Sequence, residues 1–327
     1  MRLVTILGGS GFVGRYVARA MARDGWRVRV ACRKPNEALF VRTYGDVGQV
    51  EPVFANIRDE ASLRAVLIGA DAVVNCVGIL AEAGRNRFGA VQAEGAARAA
   101  RLAAEAGAKA FVQISAIGAD AGARSDYART KGEGEAAVAE AFPGAVILRP
   151  SIVFGPEDQF FNRFASMARF GPVLPIAGAG TRFAPVYVDD VARAAAMAAA
   201  GGVPGGVYEL AGPEAMTFRE MMRMMLRMIR RRRLVANVPG PIAALMGTGF
   251  DLGHKLSLGL APRPLTRDQA RNLQVDNVPS GAHPGFDAFG IEPQAMEAVL
   301  PQYLWRFRPS GQYAEIKASA ADLREKP

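Results

Sequence analysis

Apolar and polar residues follow two alternating periods along the first 155 positions of the chain. Short apolar runs, typical of buried strands, are each followed by a stretch in which apolar residues recur at the spacing of one helix face. This alternation of strands and helices predicts an α/β fold with a Rossmann-like, doubly wound parallel sheet. The predicted strands are residues 3–7, 26–31, 50–57, 72–78, 110–115 and 145–156.

A glycine-rich turn, Gly8-Gly9-Ser10-Gly11-Phe12-Val13-Gly14, joins the first predicted strand to the first predicted helix. In dinucleotide-binding folds the first glycine permits a tight bend, the second lets the backbone approach a pyrophosphate, and the third lets the helix pack on the strand. Free N–H groups at the start of the helix favour phosphate binding. The alternative is an ordinary glycine turn, but the strand and helix on either side favour nucleotide binding. The predicted contacts are Gly8, Ser10, Gly11, Phe12, Val13 and Gly14.

The end of the second predicted strand distinguishes between the two nicotinamide dinucleotides. A site that prefers NAD(H) usually carries an acidic residue here, which binds the 2′-hydroxyl of the ribose. This chain has Cys32-Arg33-Lys34 instead. Because a cation at this position pairs with a 2′-phosphate, Arg33 and Lys34 predict NADP(H). The alternative is that both cations only face water.

Three further strand ends contribute candidate cofactor contacts. The third predicted strand runs into Asn56 and Ile57, which we expect beside the adenine, and the fourth into Val77 and Gly78. Gly78 allows a close approach of the cofactor because it has no side chain. Pro150, at the end of the sixth predicted strand, completes this set.

A serine, a tyrosine and a lysine form a candidate catalytic group. Ser115 ends the fifth predicted strand, and Tyr127 and Lys131 follow four residues apart, on one face of a predicted helix. A lysine cation lowers the pKa of a neighbouring tyrosine, and a serine hydroxyl holds a substrate carbonyl, which suits hydride transfer with tyrosine as the acid. The alternative is that Tyr127 and Lys131 only contact the ribose of the cofactor.

The organisation of the chain changes after residue 155. Prolines and glycines concentrate in residues 171–185, and short strand-like pieces follow at 183–188 and 207–211. Asp189 and Asp190 are predicted to cap a helix over residues 191–200. We therefore expect three parts. They are an NADP(H)-binding Rossmann domain at 1–155, a smaller C-terminal lobe at 156–309 with segments able to return to the sheet, and a flexible or partner-bound tail at 310–327.

A helix that starts at the capping box Thr217-Phe218-Arg219-Glu220 is predicted to have a methionine-rich face and a basic face. The methionine face suits a protein core. For the basic face we expect an acidic partner or an anionic lipid surface, and the alternative is a solvated surface. Residues 239–264, rich in Pro, Gly and Leu, are expected to be mobile or an interface. The cations are Arg219, Arg223, Arg227, Arg230, Arg231, Arg232 and Arg233.

Charge and composition limit the classes of function. The net charge of +9, from 40 Lys and Arg against 31 Asp and Glu, suggests an anionic partner, but no nucleic-acid-binding module is recognisable. Cys32 and Cys76, both in apolar runs, are expected to be buried reduced thiols, which suits a reducing compartment. No metal site is predicted. No apolar run reaches the ~20 residues of a membrane span, and we expect no signal or transit peptide before the strand that starts at residue 3.

Several segments together resemble the extended and atypical short-chain dehydrogenase/reductase superfamily, and in particular the dehydrogenase-like accessory subunits of proton-pumping respiratory complex I. The resemblance covers about residues 1–310. Its general part is the glycine turn with Tyr127 and Lys131. Its more specific part is residues 114–120, 148–158 and 264–269.

The resemblance implies a non-catalytic subunit that holds NADPH tightly where the peripheral arm meets the membrane arm, close to core subunits of the quinone-site region. It assigns Gly8, Gly11 and Gly14 to the pyrophosphate, Arg33 to the 2′-phosphate, and Tyr127 and Lys131 to the ribose. The implied location is peripheral, on the cytoplasmic face of a bacterial inner membrane or the matrix side of a mitochondrial one. The rival interpretation is a free-standing NADP-dependent reductase or epimerase that uses Ser115, Tyr127 and Lys131.

Overall fold

The structure is a computed structural model that describes residues 1–256, 266–309 and 311–313. The strands of these residues are β1 (Leu3–Leu7), β2 (Arg27–Cys32), β3 (Val50–Phe54), β4 (Ala72–Asn75), β5 (Ala110–Ile114), β6 (Val146–Pro150), β7 (Val153–Phe154), β8 (Val173–Ala177), β9 (Arg182–Phe183), β10 (Val186–Tyr187), β11 (Gly206–Leu210), β12 (Met216–Thr217) and β13 (Leu234–Val238). The α-helices are α1 (Phe12–Arg23), α2 (Glu60–Leu67), α3 (Glu94–Glu105), α4 (Asp126–Ala141), α5 (Phe161–Met167), α6 (Val188–Ala199), α7 (Phe218–Met228), α8 (Gly240–Leu256), α9 (Arg267–Asn272), α10 (Met296–Val299) and α11 (Pro301–Leu304).

Seven parallel strands form the central sheet in the order β11-β6-β5-β4-β1-β2-β3. The order reverses between β1 and β4, which is where doubly wound sheets bind nucleotides. Helices α1 and α6 pack on one face, and α2, α3 and α4 on the other. The predicted Rossmann-like parallel sheet is therefore confirmed.

Two elements from the second half of the chain complete this sheet. Strand β11 pairs with β6, and α6 packs beside α1. The prediction that Asp189 and Asp190 cap a helix is wrong. Because β10 runs directly into α6, the N-cap is Tyr187, and both aspartates lie in the first turn. Asp189 instead pairs with Arg19 of α1 at 2.7 Å. The third strand is also shorter than predicted and ends at Phe54.

The smaller lobe has its own apolar core, formed by α5, α7 and the C-terminal helices. The predicted capping box of α7 is present, because Thr217 and Glu220 bond each other's backbone N–H groups. Met221, Met222 and Met225 are buried, which confirms that the methionine face belongs to the core. Each fully buried side chain of this size contributes about 1.5–3 kcal/mol.

Part of the segment expected to be mobile or an interface is the helix α8, which packs against α9. Its Ile242, Leu245 and Met246 are exposed, Leu245 by 74%. Residues 257–265 lie outside the described part, and α9 begins at Arg267. The predicted tail lies outside it too, apart from a short 3₁₀ turn at Gly311–Tyr313. Among the described helices, none combines the length and apolar character needed to cross a membrane.

Candidate dinucleotide-binding site

The glycine turn is packed too tightly to hold side chains. Gly8 adopts φ +75° and donates its N–H to the carbonyl of Ala31 on β2, at 2.8 Å. A Cβ added to Gly14 would lie 2.7 Å from the Cα of Gly9 and still closer to the carbonyl oxygen of Gly8. Helix α1 therefore meets the turn at backbone contact distance. It begins after Gly11 without a side-chain cap or an acidic residue, which leaves free N–H groups for an anion.

Arg15 is a candidate phosphate-binding residue that the sequence interpretation missed. Its guanidinium donates to the carbonyls of Ser10 and Gly11, both at 3.2 Å, and lies 4.9 Å from the ring centre of Phe40. It therefore places a second cation beside the turn. The sequence signal that could have identified Arg15 is its position as a cation directly after Gly14, the last glycine of the turn.

The two cations predicted for a 2′-phosphate differ in their surroundings. Both follow β2 and are exposed. Lys34 forms an ion pair with Glu37 at 2.8 Å, whereas Arg33 forms none with the described residues. Arg33 is therefore the better placed of the two to bind an added anion.

The loop after β3 is held by its own hydrogen bonds. The side-chain oxygen of Asn56 accepts the N–H of Arg58 at 3.1 Å, and the carbonyl of Ile57 accepts a bond from Arg98 at 3.0 Å. The Ile57 side chain is buried against Gly95 of α3. The loop is thus a preformed wall on the side of the sheet where the adenine is expected. Arg98 shapes this wall and was not identified from the sequence.

The loop after β4 connects the glycine turn to the tyrosine–lysine helix. The Val77 side chain would lie 3.1 Å from a Cβ on Gly8, and a Cβ on Gly78 would lie 3.5 Å from the ammonium of Lys131. The Val77 N–H is fixed by Asn75, at 3.1 Å. Val77 and Gly78 therefore lie between the two parts of the predicted site.

Ser115, Tyr127 and Lys131 lie at the carboxyl ends of β4 to β6. The buried Lys131 donates to the carbonyl of Ile114 at 3.1 Å, and burial lowers its pKa to about 8. The hydroxyl of Ser115 is buried and has no hydrogen-bond partner among the described residues. It is a polar group that a ligand would satisfy. Pro150 is also buried, and its carbonyl accepts the N–H of Ile117 at 3.0 Å.

The expectation that Lys131 lowers the pKa of Tyr127 is wrong for this structure. Burial raises the pKa of Tyr127 to about 12, and the ring packs edge-on against Phe88 at 6.0 Å between centroids. The lysine ammonium is bonded to the Ile114 carbonyl instead. The phenol therefore stays protonated at neutral pH and acts as a hydrogen-bond donor.

The two cysteines are free and do not form a disulfide. Cys32 is buried, whereas Cys76 is only half-buried, contrary to the expectation that both are buried. Burial raises the pKa of the Cys76 thiol to about 12, so the thiol is protonated at neutral pH. Within the described residues, no group of three or more His, Cys, Asp or Glu side chains is arranged to hold a metal.

The packed glycine turn, the unpartnered Ser115 hydroxyl and the buried Lys131 together fit a bound dinucleotide. They lie along the edge of the sheet on either side of the point where its strand order reverses. The fold and the site thus define a nucleotide-binding α/β protein of the Rossmann type.

Comparison with known proteins identifies the family. The model of the NAD dependent epimerase/dehydratase family matches residues 4–211. The chain is 33% identical to "NADH dehydrogenase [ubiquinone] 1 alpha subcomplex subunit 9, mitochondrial" of Arabidopsis thaliana, over 94% of this chain and 79% of that protein. Subunits of the same name from rat and mouse also match 94% of this chain. The chain belongs to the NAD dependent epimerase/dehydratase family, and within it to the group of dehydrogenase-like complex I subunits.

Two further similarities concern enzymes. The chain is 32% identical to a protein named "Ceramide reductase" of Caulobacter vibrioides, over 86% of this chain and 87% of that one. The crystal structure of the NADPH-dependent quinone oxidoreductase QOR2 from Escherichia coli, complexed with NADPH, superimposes with a TM-score of 0.68. The superposition covers 92% of this chain and 98% of the QOR2 chain, with 21% sequence identity. At this identity the similarity shows a shared fold and no more. A nicotinamide dinucleotide is the cofactor that the family and the fold support.

Proposed function

We propose that this chain is an NADPH-holding, non-catalytic accessory subunit of respiratory complex I, which stabilises the junction of the peripheral arm with the membrane arm. The observation that carries the proposal is the similarity to a complex I subunit over 94% of the chain, well beyond the family match that ends at residue 211. The core subunits near the quinone site are the proposed neighbours. The proposed location is peripheral, on the cytoplasmic face of a bacterial inner membrane or the matrix side of a mitochondrial one.

The proposed role of NADPH is to stabilise the folded chain. A ligand that binds only the folded state adds about 4 kcal/mol when its concentration is ~1000 times its dissociation constant. The glycine turn and Arg33 would hold the phosphates, and Lys131 and Tyr127 the ribose near Gly78. Such binding fixes loops from β1, β2 and β4 without any turnover.

The second candidate function is a free-standing NADP-dependent reductase or epimerase. It is supported by the burial of Ser115 and Lys131, since Lys131 bonds the carbonyl of the residue before Ser115, and by the similarity to the protein named ceramide reductase, which covers most of the chain. In that case Tyr127 would donate its phenolic proton to the carbonyl oxygen of a substrate, while the hydride of NADPH adds to the carbonyl carbon.

Replacement of Tyr127 by phenylalanine distinguishes the two functions. For a scaffold we expect electron transfer by the host complex to stay within about twofold of wild type, because the phenol takes no part in chemistry. For a reductase the same change removes the proton donor and lowers the rate roughly 10²- to 10⁴-fold. The measurements are NADH:quinone activity of membranes and NADPH oxidation by the isolated protein with carbonyl compounds and quinones.

Tyr208→Phe is the matched control. Tyr208 lies on β11, away from the candidate site, and its hydroxyl donates a hydrogen bond to the Pro204 carbonyl at 2.8 Å. The Tyr208→Phe variant measures how much activity is lost when a tyrosine hydroxyl outside the candidate site is removed. Fast NADPH oxidation by the wild type, lost in Tyr127→Phe and kept in Tyr208→Phe, would overturn the scaffold proposal.

The predicted basic surface is smaller than the seven arginines suggest. Helix α7 ends at Met228, and Arg231 and Arg233 beyond it donate to the carbonyls of Phe307 and Ala168, at 2.9 and 2.8 Å. Arg219 is half-buried, with its Nε atom inaccessible to water. The exposed members are Arg223, Arg227, Arg230 and Arg232.

Exposed apolar side chains lie on the strand that directly follows this basic run and at the strand that pairs with it. Val173 and Leu234 are paired in register between β8 and β13, and Phe170 precedes β8. Phe170 is 84% exposed and Leu234 67%. We define the docking surface as Arg223, Arg227, Arg230 and Arg232 with these three apolar residues. Its mixture of arginines and apolar side chains suits anionic lipid headgroups, and an acidic core subunit would be the other neighbour.

Replacement of Arg227 and Arg232 by glutamine should release the protein from membranes at lower salt than wild type. Each cation near an anionic leaflet contributes about 1 kcal/mol, so the pair accounts for roughly 30-fold in binding. Salt titration of native membranes, followed by assay of the soluble fraction, measures this. Arg23 and Arg27, exposed in the nucleotide lobe, provide the matched double glutamine control. An unchanged release curve would mean that the cluster is only a solvated surface.

A further inference from the structure

The segment around α9 reaches the candidate site from the other end of the chain. Helix α9 starts at its own capping box, made by Thr266 and Gln269. We propose that Asp268 is a positioning residue, which holds the first turn of α4 so that Tyr127 and Lys131 meet the nicotinamide half of a bound dinucleotide. This inference rests on the proposed binding of NADPH, but it is independent of whether the host is complex I.

The carboxylate of Asp268 caps α4 from a distance of more than 140 residues along the chain. One oxygen accepts the N–H of Asp126 at 2.9 Å. The other accepts the hydroxyl of Ser125 at 2.9 Å and the N–H of Tyr127 itself at 3.2 Å. The first N–H groups of a helix have no partner within the helix, and an anion there is favoured. Ser125, the N-cap residue, reaches only the N–H of Ala128, at 3.3 Å.

The same short helix also bonds the opposite side of the site. The side-chain amide of Gln269 donates to the carbonyl of Leu80 at 3.1 Å, in the loop that follows Gly78. Farther along, the side-chain amide of Asn277 donates to the carbonyl of Ile117 at 3.0 Å, and its side-chain oxygen accepts the hydroxyl of Ser151 at 2.7 Å. Residues 266–277 therefore form a strap across the carboxyl ends of β4, β5 and β6.

The strap lies beside only one of the two halves of the expected dinucleotide site. In a doubly wound sheet one nucleotide half lies over β1 to β3 and the other over β4 to β6. The bonds of the strap to Leu80, Ile117 and Ser151 all reach the second half of the sheet, where Tyr127 is the second residue of α4. Loss of the Asp268 carboxylate leaves two N–H groups at the start of α4 without their acceptor. The first turn then frays, and Tyr127 loses its fixed position.

The test compares NADPH with 2′,5′-ADP, which keeps the adenosine, its 5′-phosphate and the 2′-phosphate but lacks the nicotinamide mononucleotide half. Both are titrated by calorimetry into the full-length wild type and into Asp268→Ala. We expect NADPH to bind the variant roughly 2- to 30-fold more weakly, the range produced by loss of a helix cap, and 2′,5′-ADP to bind equally well. Faster amide exchange at Asp126 and Tyr127 should accompany the loss.

Asp276→Ala is the matched control, because Asp276 lies in the same strap and accepts the N–H of Arg182 in the smaller lobe, at 2.8 Å. It should leave both affinities unchanged. If Asp268→Ala fails to fold, Gln269→Ala is measured in the same way and should show the same selective loss. This change removes the bond to Leu80 and the bond that Gln269 accepts from the Thr266 N–H in the capping box of α9. Equal weakening of both ligands, or no weakening, would overturn the positioning role. A wild type that binds neither ligand contradicts the proposed function and the positioning role together.

Discussion

Alanine at Gly14 should leave the purified protein with less than about a tenth of its bound nucleotide. The added Cβ would lie 2.7 Å from the Cα of Gly9 and closer still to the carbonyl oxygen of Gly8. Both neighbours are backbone atoms of a turn that the Gly8 N–H fixes to β2, so no side chain can rotate away. Overpacking of this kind costs about 1–3 kcal/mol or more, and here it displaces the start of α1 from the pyrophosphate position. Chromatography of the nucleotide released by acid, per mole of protein, measures the loss.

Gly180→Ala is the matched control for Gly14→Ala. No described atom lies within 4 Å of a Cβ at this position, which belongs to the smaller lobe. We expect its nucleotide content and free energy of unfolding to stay within about 0.5 kcal/mol of wild type. A Gly14→Ala protein with a full complement of nucleotide would show that the turn does not contact the cofactor.

Arg33→Glu should weaken NADPH binding by several-fold to a hundredfold and change NADH binding far less. A hydrogen bond between charged groups contributes about 1.5–3 kcal/mol, and glutamate both removes it and repels a 2′-phosphate. Arg33 is exposed and forms no ion pair with the described residues, so the substitution breaks no ion pair there. Titration of the nucleotide-free protein with each cofactor measures the two affinities.

Arg23→Glu makes the same change of charge at the far end of α1, roughly 13 Å along the helix axis from Gly14. It controls for the overall field of the protein, and we expect less than a twofold effect. Mass spectrometry of the nucleotide that copurifies with wild type is the companion experiment. Recovery of NAD(H) alone would contradict the NADP(H) prediction.

The sheet and the glycine turn could be predicted from the sequence because both depend on local signals. Apolar runs identified the strands, and the spacing from Gly8 to Gly14 identified the turn before α1. Several local predictions were wrong. Asp189 and Asp190 do not cap α6, because a short strand leads straight into that helix, and the carboxylate of Asp189 pairs with α1 instead. The pKa of Tyr127 depends on the burial of its side chain in the tertiary structure, which no local pattern shows.

Contacts between segments that are distant in the sequence could not be predicted from the pattern of apolar and polar residues. The pattern placed Arg219, Arg231 and Arg233 with the exposed cations, yet two of them bond backbone carbonyls and the third is half-buried. Asp268 lies in a segment identified from the sequence, but its role depends on how the chain folds back onto α4. Pairing of an acceptor with N–H groups 142 residues away is a property of the tertiary structure.

The return of β11 to the sheet has a consequence for synthesis of the chain on the ribosome. Strand β6 ends at residue 150, but its partner β11 ends at residue 210. At the usual rate of about 5–20 residues per second, these 60 residues take roughly 3–12 s to appear. During that interval β6 is an open sheet edge, the kind of edge that pairs with other nascent chains. We therefore expect the nascent chain to be most prone to edge-to-edge pairing during this interval.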